Sequence, residues 1–227
     1  NITEPTPGHF VFDLGQNMVG WAKIKLPVEK DQTVTLRFAE MLNKDGTLYT
    51  ANYRSAQSTD TYTAAETGVI EWQPHFTFHG FRYVELSGLP ADAQPQKDWV
   101  TSVVLHSDLR NIGKFESSDA TLNQLQSNIV WGQRGNFVDI PTDCPQRDER
   151  MGWTGDAQVF CPTSMFNYDC LAFWKSWLGS MRDDQLPDGR IPHVIPAAIQ
   201  WTGSPGWMDA GTIIPWEVYV RTRDTEV

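Results

Sequence analysis

Acidic, basic and aromatic residues are concentrated in one stretch of the chain, DCPQRDERMGWTGD, which we call the acid loop (residues 143–156). Crowded carboxylates raise the pKa of at least one of their number, whereas a neighbouring guanidinium keeps others ionised. That divergence separates a proton donor from fixed carboxylates, which is what acid-assisted cleavage of a glycosidic bond requires. The residues concerned are Asp143, Arg147, Asp148, Glu149, Arg150, Trp153 and Asp156.

Two other interpretations of the acid loop stay open on the residues alone. Acidic residues that alternate with arginine are more often a solvated salt-bridge network than a catalytic site. A divalent cation could use the same carboxylate oxygens, but Arg147 and Arg150 would compete for them. The loop also lacks the alternate-residue ligand spacing of a calcium loop. We therefore expect neither a metal nor a cofactor.

A second cluster, GWMDA at 206–210, places Trp207 two residues before Asp209 and just ahead of a predicted helix. An indole ring can stack on a sugar, and a carboxylate can accept hydrogen bonds from its hydroxyl groups. A helix-capping aspartate beside a packed tryptophan explains the same residues equally well. The five histidines are scattered outside any nucleophile motif, so we interpret them as structural.

Charge and composition narrow the possible partners. The net charge of −10 argues against nucleic acid and anionic membrane surfaces, and favours a neutral partner. The apolar runs are far shorter than the roughly 20 residues of a membrane span. Three cysteines without CxxC spacing predict buried free thiols. The ten tryptophans are more than a core of this size requires, and flat aromatic faces can stack against sugars, although most of these residues are expected to be structural.

The first half of the chain has the period-two alternation of β-strands, as in WAKIKL at 21–26 and VTLRF at 34–38. Short turns rich in glycine, asparagine and aspartate separate these runs, and no helical pattern lies between them. Many short strands without intervening helices pair antiparallel. We therefore predict a jelly-roll-like antiparallel β-sandwich over residues 1–110.

From residue 111 the apolar spacing becomes helical. Ser118-Asp119 can cap a first helix, a second follows Gly155 and should break or kink at Pro162, and a third ends before a turn at 187–189. A long ordered loop follows, and Ile213 opens a possible fourth helix. The predicted apolar stripes are Leu122, Leu125, Ile129 and Val130 on the first helix, and Leu171, Trp174, Leu178 and Met181 on the third.

These segments resemble the α-L-rhamnosidases of glycoside hydrolase family 78, over nearly the whole chain. FDLGQNMVGW at 12–21, LRFAEMLNKDGTLYTANYRSA at 36–56 and FTFHGFRYVELSG at 76–88 are similar to the β-sandwich that precedes the family's catalytic barrel. NIVWGQRGNFVDIPTDCPQRDERMGWTGDAQVF at 128–160 is similar to the opening of its six-hairpin α/α barrel. The resemblance implies that residues 111–227 form the first hairpins of that barrel.

The resemblance also implies a function, the inverting hydrolysis of terminal α-L-rhamnose from plant glycosides or polysaccharides. By position, Glu149 matches the general acid, and Asp148 beside it has a supporting role. Asp143, Arg147, Trp153 and Asp156 match the rhamnose subsite, and Trp207 and Asp209 match a further part of the pocket.

The carboxylate that activates water is expected in a part of the barrel that these residues do not include. The isolated chain is therefore expected to be inactive without the remainder of the catalytic barrel. The alternatives are a non-catalytic carbohydrate-binding module and a six-hairpin glycosidase for another sugar.

Overall fold

The computed structural model describes residues 1–227, which divide into two compact units. Unit 1 comprises residues 1–105 and 145–148, and unit 2 comprises residues 106–144 and 149–227. The short segment 145–148 therefore belongs to unit 1 although it lies inside the acid loop. No single cut of the sequence reproduces this division.

Unit 1 is an antiparallel β structure. Seven of its strands form one sheet in the order β1-β2-β8-β3-β6, with β7 and β9 also paired to β2, and β4 pairs with β5. Short 3-10 turns lie at Ala51–Tyr53 and Lys97–Trp99. The strands are β1 (Ile2–Thr6), β2 (His9–Val28), β3 (Thr33–Ala39), β4 (Met41–Leu42), β5 (Leu48–Tyr49), β6 (Thr59–Thr63), β7 (Gly68–Trp72), β8 (His79–Ser87) and β9 (Val100–Val104).

The 20-residue strand β2 joins the two halves of the sheet. Its first part pairs with β1 and β8, and from Gly20 onward it pairs with β9 and then β7. Gly20 has a φ of +150°, and a Cβ at this position would lie 1.8 Å from the carbonyl oxygen of Val103. Only glycine allows this close approach between β2 and β9.

Period-two alternation gives unit 1 its core. On β3 the side chains of Val34, Leu36 and Phe38 are fully buried, whereas those of Thr35 and Arg37 between them are not. Alternate residues of a strand point to opposite faces, so one face of β3 packs inward, where Phe38 meets Phe81 of β8 edge-on at 4.9 Å. The prediction of an antiparallel β domain ahead of a helical domain is confirmed.

Unit 2 contains four helices, and none of them has the length and apolar content that a membrane span needs. The side chain of Asp119 caps α1 as predicted, accepting a hydrogen bond of 2.7 Å from the N–H of Thr121. The elements are α1 (Ala120–Asn136), β10 (Phe137–Val138), β11 (Ile140–Pro141), α2 (Thr154–Asn167), α3 (Leu171–Asp183) and α4 (Ala210–Thr222).

Two details of the predicted helices need correction. Pro162 does not end α2, which continues to Asn167, so of the predicted break or kink the break is wrong. The predicted stripe on α1 is not a buried face, since Leu122 and Leu125 are 46% and 53% exposed. The residues of α1 that unit 2 does bury lie in the last turns of the helix, near Gln133.

An aromatic cluster forms the centre of unit 2. The rings of Phe137 and Phe173 stack with centroids 4.3 Å apart, and Trp174 meets Phe137 edge-on at 5.6 Å and Trp177 at 5.7 Å. Trp174 is fully buried, and its indole N–H donates to the hydroxyl of Ser164 at 3.1 Å. Both the apolar body and the polar edge of this indole are therefore satisfied.

Because Trp174 has no exposed surface, we expect Trp174→Ala to lower the free energy of unfolding by about 3–5 kcal/mol. The matched control is Trp216→Ala, at a tryptophan of the same unit that is 61% exposed and should change stability by at most about 0.5 kcal/mol. Denaturant unfolding of both variants measures the difference. Similar losses at the two positions would contradict this account of the core.

Candidate active site

The acid loop begins at Asp143, directly after β11 and Thr142. The backbone N–H of Asp143 donates to the carbonyl oxygen of Met151 at 3.1 Å, and its carboxylate accepts from the N–H of Met151 at 3.1 Å. These two hydrogen bonds close the loop between Asp143 and Met151. Residues 144–150 are consequently held as a bulge with fixed ends.

Glu149 lies near the end of this bulge and is partly buried. The indole N–H of Trp153 donates to the Glu149 carboxyl oxygen Oε1 at 3.0 Å, which fixes the direction of the side chain. Trp153 is itself held by a β-bridge to Val194 and by a ring contact with Trp201, whose centroid is 5.8 Å away. The structure thus places Glu149 and Trp153 in direct contact.

Asp143 and Glu149 lie close together on either side of Cys144. One ligand atom from each of these three residues falls within 4.8 Å of the other two. A thiol with two carboxylates can bind a transition metal ion. The expectation that this site uses no metal stays a prediction.

Asp156 occupies the first turn of α2. Burial raises the pKa of its carboxyl group, and the negative charges of Asp143 and Glu149 raise it further, while a backbone hydrogen bond acts in the opposite direction. The crowding of carboxylates predicted from the sequence therefore appears in unit 2, and its effect falls on Asp156.

A cavity of about 820 Å³ opens beside these carboxylates, within the range of pockets that hold small ligands. Three predicted site residues line it, Asp143, Asp156 and Trp207, together with an apolar floor. Such a cavity offers acceptors for hydroxyl groups and flat apolar surface for a ring. Its other lining residues include Gln133, Asn136, Phe137, Pro141, Gln158, Val159 and Phe160.

Trp207 reaches the cavity because the chain around it packs closely on α2. A Cβ at Gly155 would lie only 3.0 Å from the indole nitrogen of Trp207, and the side chain of Gln158 donates to the carbonyl oxygen of Gly206 at 2.6 Å. The carboxylate of Asp209 accepts from the N–H of Gly206 at 2.9 Å. Asp209 thus holds the turn that presents Trp207, and it makes no side-chain capping bond to α4.

Arg147 and Asp148 belong to the segment that groups with unit 1. Asp148 is exposed, and its carboxylate accepts hydrogen bonds from the hydroxyl and the N–H of Ser55. The hydroxyl bond, followed by the backbone bond and the charge of Arg54, lowers the pKa of Asp148. Arg147 is partly buried. Arg150, three residues further on, is also partly buried, and this burial lowers the pKa of its guanidinium.

Sequence reasoning missed the amide residues of the cavity. Gln133 and Asn136 are three positions apart in the last turn of α1, and Gln158 lies two residues after Asp156 on α2. Their helical spacing and their distance from the loop could have indicated them. His193, interpreted as structural, accepts a hydrogen bond from the N–H of Ser204 at 3.2 Å, and its ring lies 5.6 Å from that of Trp207.

Family models match both parts of the chain. The bacterial α-L-rhamnosidase concanavalin-like domain matches residues 3–106, and the bacterial α-L-rhamnosidase six-hairpin glycosidase domain matches residues 110–227. The chain therefore belongs to the bacterial α-L-rhamnosidase family, and the resemblance drawn from the sequence is confirmed.

Several relatives carry the name α-L-rhamnosidase. One from Formosa agariphila is 61% identical over 96% of this chain and 24% of its own length, and one from an Alteromonas species is 52% identical over 100% and 26%. The structure of Streptomyces avermitilis α-L-rhamnosidase complexed with L-rhamnose has a TM-score of 0.93 at 50% identity, over 96% of this chain and 21% of its own. The chain spans about a quarter of the length of these relatives.

The raised pKa of Asp156 has a consequence for stability. Because the folded-state pKa lies above the unfolded value of about 3.9, ionising Asp156 disfavours the folded state. This penalty is absent below the unfolded pKa and complete above the folded pKa. We expect Asp156→Asn to raise Tm near pH 7 and to lose that advantage near pH 3, in thermal unfolding across this range.

Asp148→Asn is the control for that experiment, because the pKa of Asp148 is shifted in the opposite direction. The pKa of Asp148 is lowered in the folded state, so its ionised form stabilises the fold above the unfolded pKa and the benefit disappears as pH falls. This variant should lower Tm near pH 7. A shift of the same sign in both variants would refute the electrostatic account of the two carboxylates.

Proposed function

We propose that the protein carrying this chain is an inverting α-L-rhamnosidase that removes terminal α-L-rhamnose from plant glycosides or polysaccharides. The observation that carries the proposal is the grouping of Asp143, Asp156 and Trp207 around one cavity, with Glu149 held beside Asp143. Family membership and the rhamnose complex of the Streptomyces avermitilis relative support the choice of sugar.

In this proposal Glu149 is the general acid. A general acid must point at the leaving oxygen and carry its proton when the substrate binds. The hydrogen bond from Trp153 supports the first requirement, since it fixes one carboxyl oxygen of Glu149. Trp153 would then contribute to the rhamnose subsite both as a wall and as the group that orients the acid.

In this proposal the cavity is the rhamnose-binding site. Asp143 and Asp156 would accept hydrogen bonds from rhamnose hydroxyls, and Trp207 would stack on a C–H face of the ring. Rhamnose carries a methyl group where most hexoses carry a hydroxymethyl group, and the apolar side chains of Phe137 and Phe160 suit it. Arg147 is proposed as a further rhamnose ligand and Asp148 as a supporting residue on the family resemblance, and Asp209 as the residue that holds Trp207 in place.

Inversion needs a second carboxylate roughly 6.5 to 9.5 Å from the acid, to activate water on the opposite face of the sugar. We assign no residue of this chain to that role. Glu217 on α4 pairs with Arg221 one turn further along the helix, which is a structural contact. The proposed base belongs to the remainder of the barrel, so the isolated chain should give no measurable hydrolysis.

The full-length protein should hydrolyse aryl α-L-rhamnosides and release β-L-rhamnose first, because a single displacement inverts the anomeric centre. Proton NMR during the first turnovers identifies the anomer, and a panel of other aryl glycosides is the control. Rhamnose binding without turnover would indicate a non-catalytic module instead. Turnover of other glycosides alone would indicate a six-hairpin glycosidase of different specificity.

We expect Glu149→Gln in the full-length protein to lose about 10²- to 10⁴-fold in kcat on rhamnosides with poor leaving groups. The loss should be small with dinitrophenyl rhamnoside, whose leaving group needs no proton. Glu217→Gln is the matched control and should retain activity, whereas Asp156→Asn should lose activity on both substrates. An equal loss on both substrates with Glu149→Gln would remove Glu149 from the acid role.

A further inference from the structure

Segment 145–148 of the acid loop is held within unit 1 at two points, and the first is Ser55. This residue is exposed, yet both its hydroxyl and its backbone N–H donate to the carboxylate of Asp148, the latter at 3.3 Å. Hydrogen bonds to an ionised acceptor are stronger than those between neutral groups. The end of the segment is therefore fastened by two donors from one residue.

The second contact point is Gly80 on β8. A Cβ at this position would lie 3.0 Å from the side chains of both Pro145 and Gln146, and 3.2 Å from the backbone nitrogen of Gln146. These distances are shorter than ordinary van der Waals contact, so a side chain at Gly80 would push Pro145 or Gln146 away from the strand. The start of the segment is fixed by this steric fit.

Tyr53 joins the two contact points. It is almost fully buried, and its hydroxyl donates to the carbonyl oxygen of Gly80 at 3.3 Å and accepts from the N–H of Glu40 at 2.9 Å. Only Arg54 separates Tyr53 from Ser55. Tyr53 thus links the strand that carries Gly80 to the turn that carries Ser55.

The turn itself is strained. Arg54 has a φ of +56° and a ψ of −117°, a backbone conformation that residues with a side chain rarely adopt. The next residue, Ser55, donates its backbone N–H to Asp148. Strain at a single residue persists only where the surroundings enforce it. Here the buried Tyr53 on one side and the bonded Ser55 on the other enforce it.

We propose that Ser55 and Gly80 are positioning residues for the general acid, a role that rests on the proposed function of Glu149. They fix the backbone of residues 145–148, and Glu149 is the next residue in the chain. Trp153 holds the carboxyl group of Glu149, and Ser55 and Gly80 hold the backbone that directly precedes this residue. Misplacement of a reacting group by about 1 Å can cost up to about 10²-fold in rate.

The test is Ser55→Ala in the full-length protein. We expect kcat on poor leaving groups to fall about 5- to 20-fold, with KM and the rate on dinitrophenyl rhamnoside nearly unchanged. Ser55→Thr keeps the hydroxyl on an exposed side chain and should restore the rate. Gly80→Ala displaces Pro145 and Gln146 instead, and should give the same dependence on the leaving group.

The matched control is Thr47→Ala. Thr47 also donates its hydroxyl and its N–H to one aspartate, Asp45, at 2.7 and 3.0 Å in the same unit, far from the acid loop in sequence. Its loss should leave kcat on every substrate unchanged. Three results would each overturn the positioning role of Ser55 and Gly80. They are an equal loss on both substrates with Ser55→Ala, the same effect with Thr47→Ala, and no recovery of the rate with Ser55→Thr.

Glu149→Gln separates failure of this inference from failure of the proposed function. If kcat on poor leaving groups falls with Glu149→Gln but not with Ser55→Ala, the positioning role is overturned and Glu149 remains the acid. No such loss with Glu149→Gln overturns both. The same loss with both variants, together with rescue by Ser55→Thr, is the outcome we expect.

Discussion

The hydrogen bond from the Trp153 indole to Glu149 depends on contacts that reach into the core of unit 2. The indole N–H of Trp177 donates to the carbonyl oxygen of Ile195 at 3.0 Å, and the N–H of Ile195 donates to the carbonyl oxygen of Gly152 at 2.9 Å. A Cβ at Gly152 would lie 2.3 Å from the carbonyl oxygen of Ile195. The aromatic core therefore sets the position of the chain next to Trp153, and through it the direction of Glu149. A preorganised site of this kind avoids reorganisation during reaction.

Local patterns in the sequence predicted the elements of both units well. Alternation of buried and exposed residues on β3 and the cap at Asp119 each follow from short-range physics, in which a residue and its near neighbours decide the outcome. Pro162 and the face of α1 did not follow from it. Both depend on packing between distant segments, which residue types alone do not encode.

The candidate site was less predictable from the residues alone, because the charges of the acid loop favoured a salt-bridge network. The family resemblance singled out the residues, and the structure brings Asp143, Glu149, Trp153, Asp156 and Trp207 into one unit. It also shows that the carboxylate of Asp209 accepts a hydrogen bond from Gly206, and the sugar-binding role of Asp209 stays a prediction. The roles of these residues in catalysis stay predictions.

The membership of residues 145–148 in unit 1 has a consequence for how the chain folds. The bond between Ser55 and Asp148 spans 93 residues, so unit 1 is completed by a segment that follows its strands at a long distance in sequence. Closing so long a loop costs chain entropy before the contact is made, so such contacts slow folding. The strands of unit 1 can therefore pair first, and segment 145–148 is the part of unit 1 that we expect to join last.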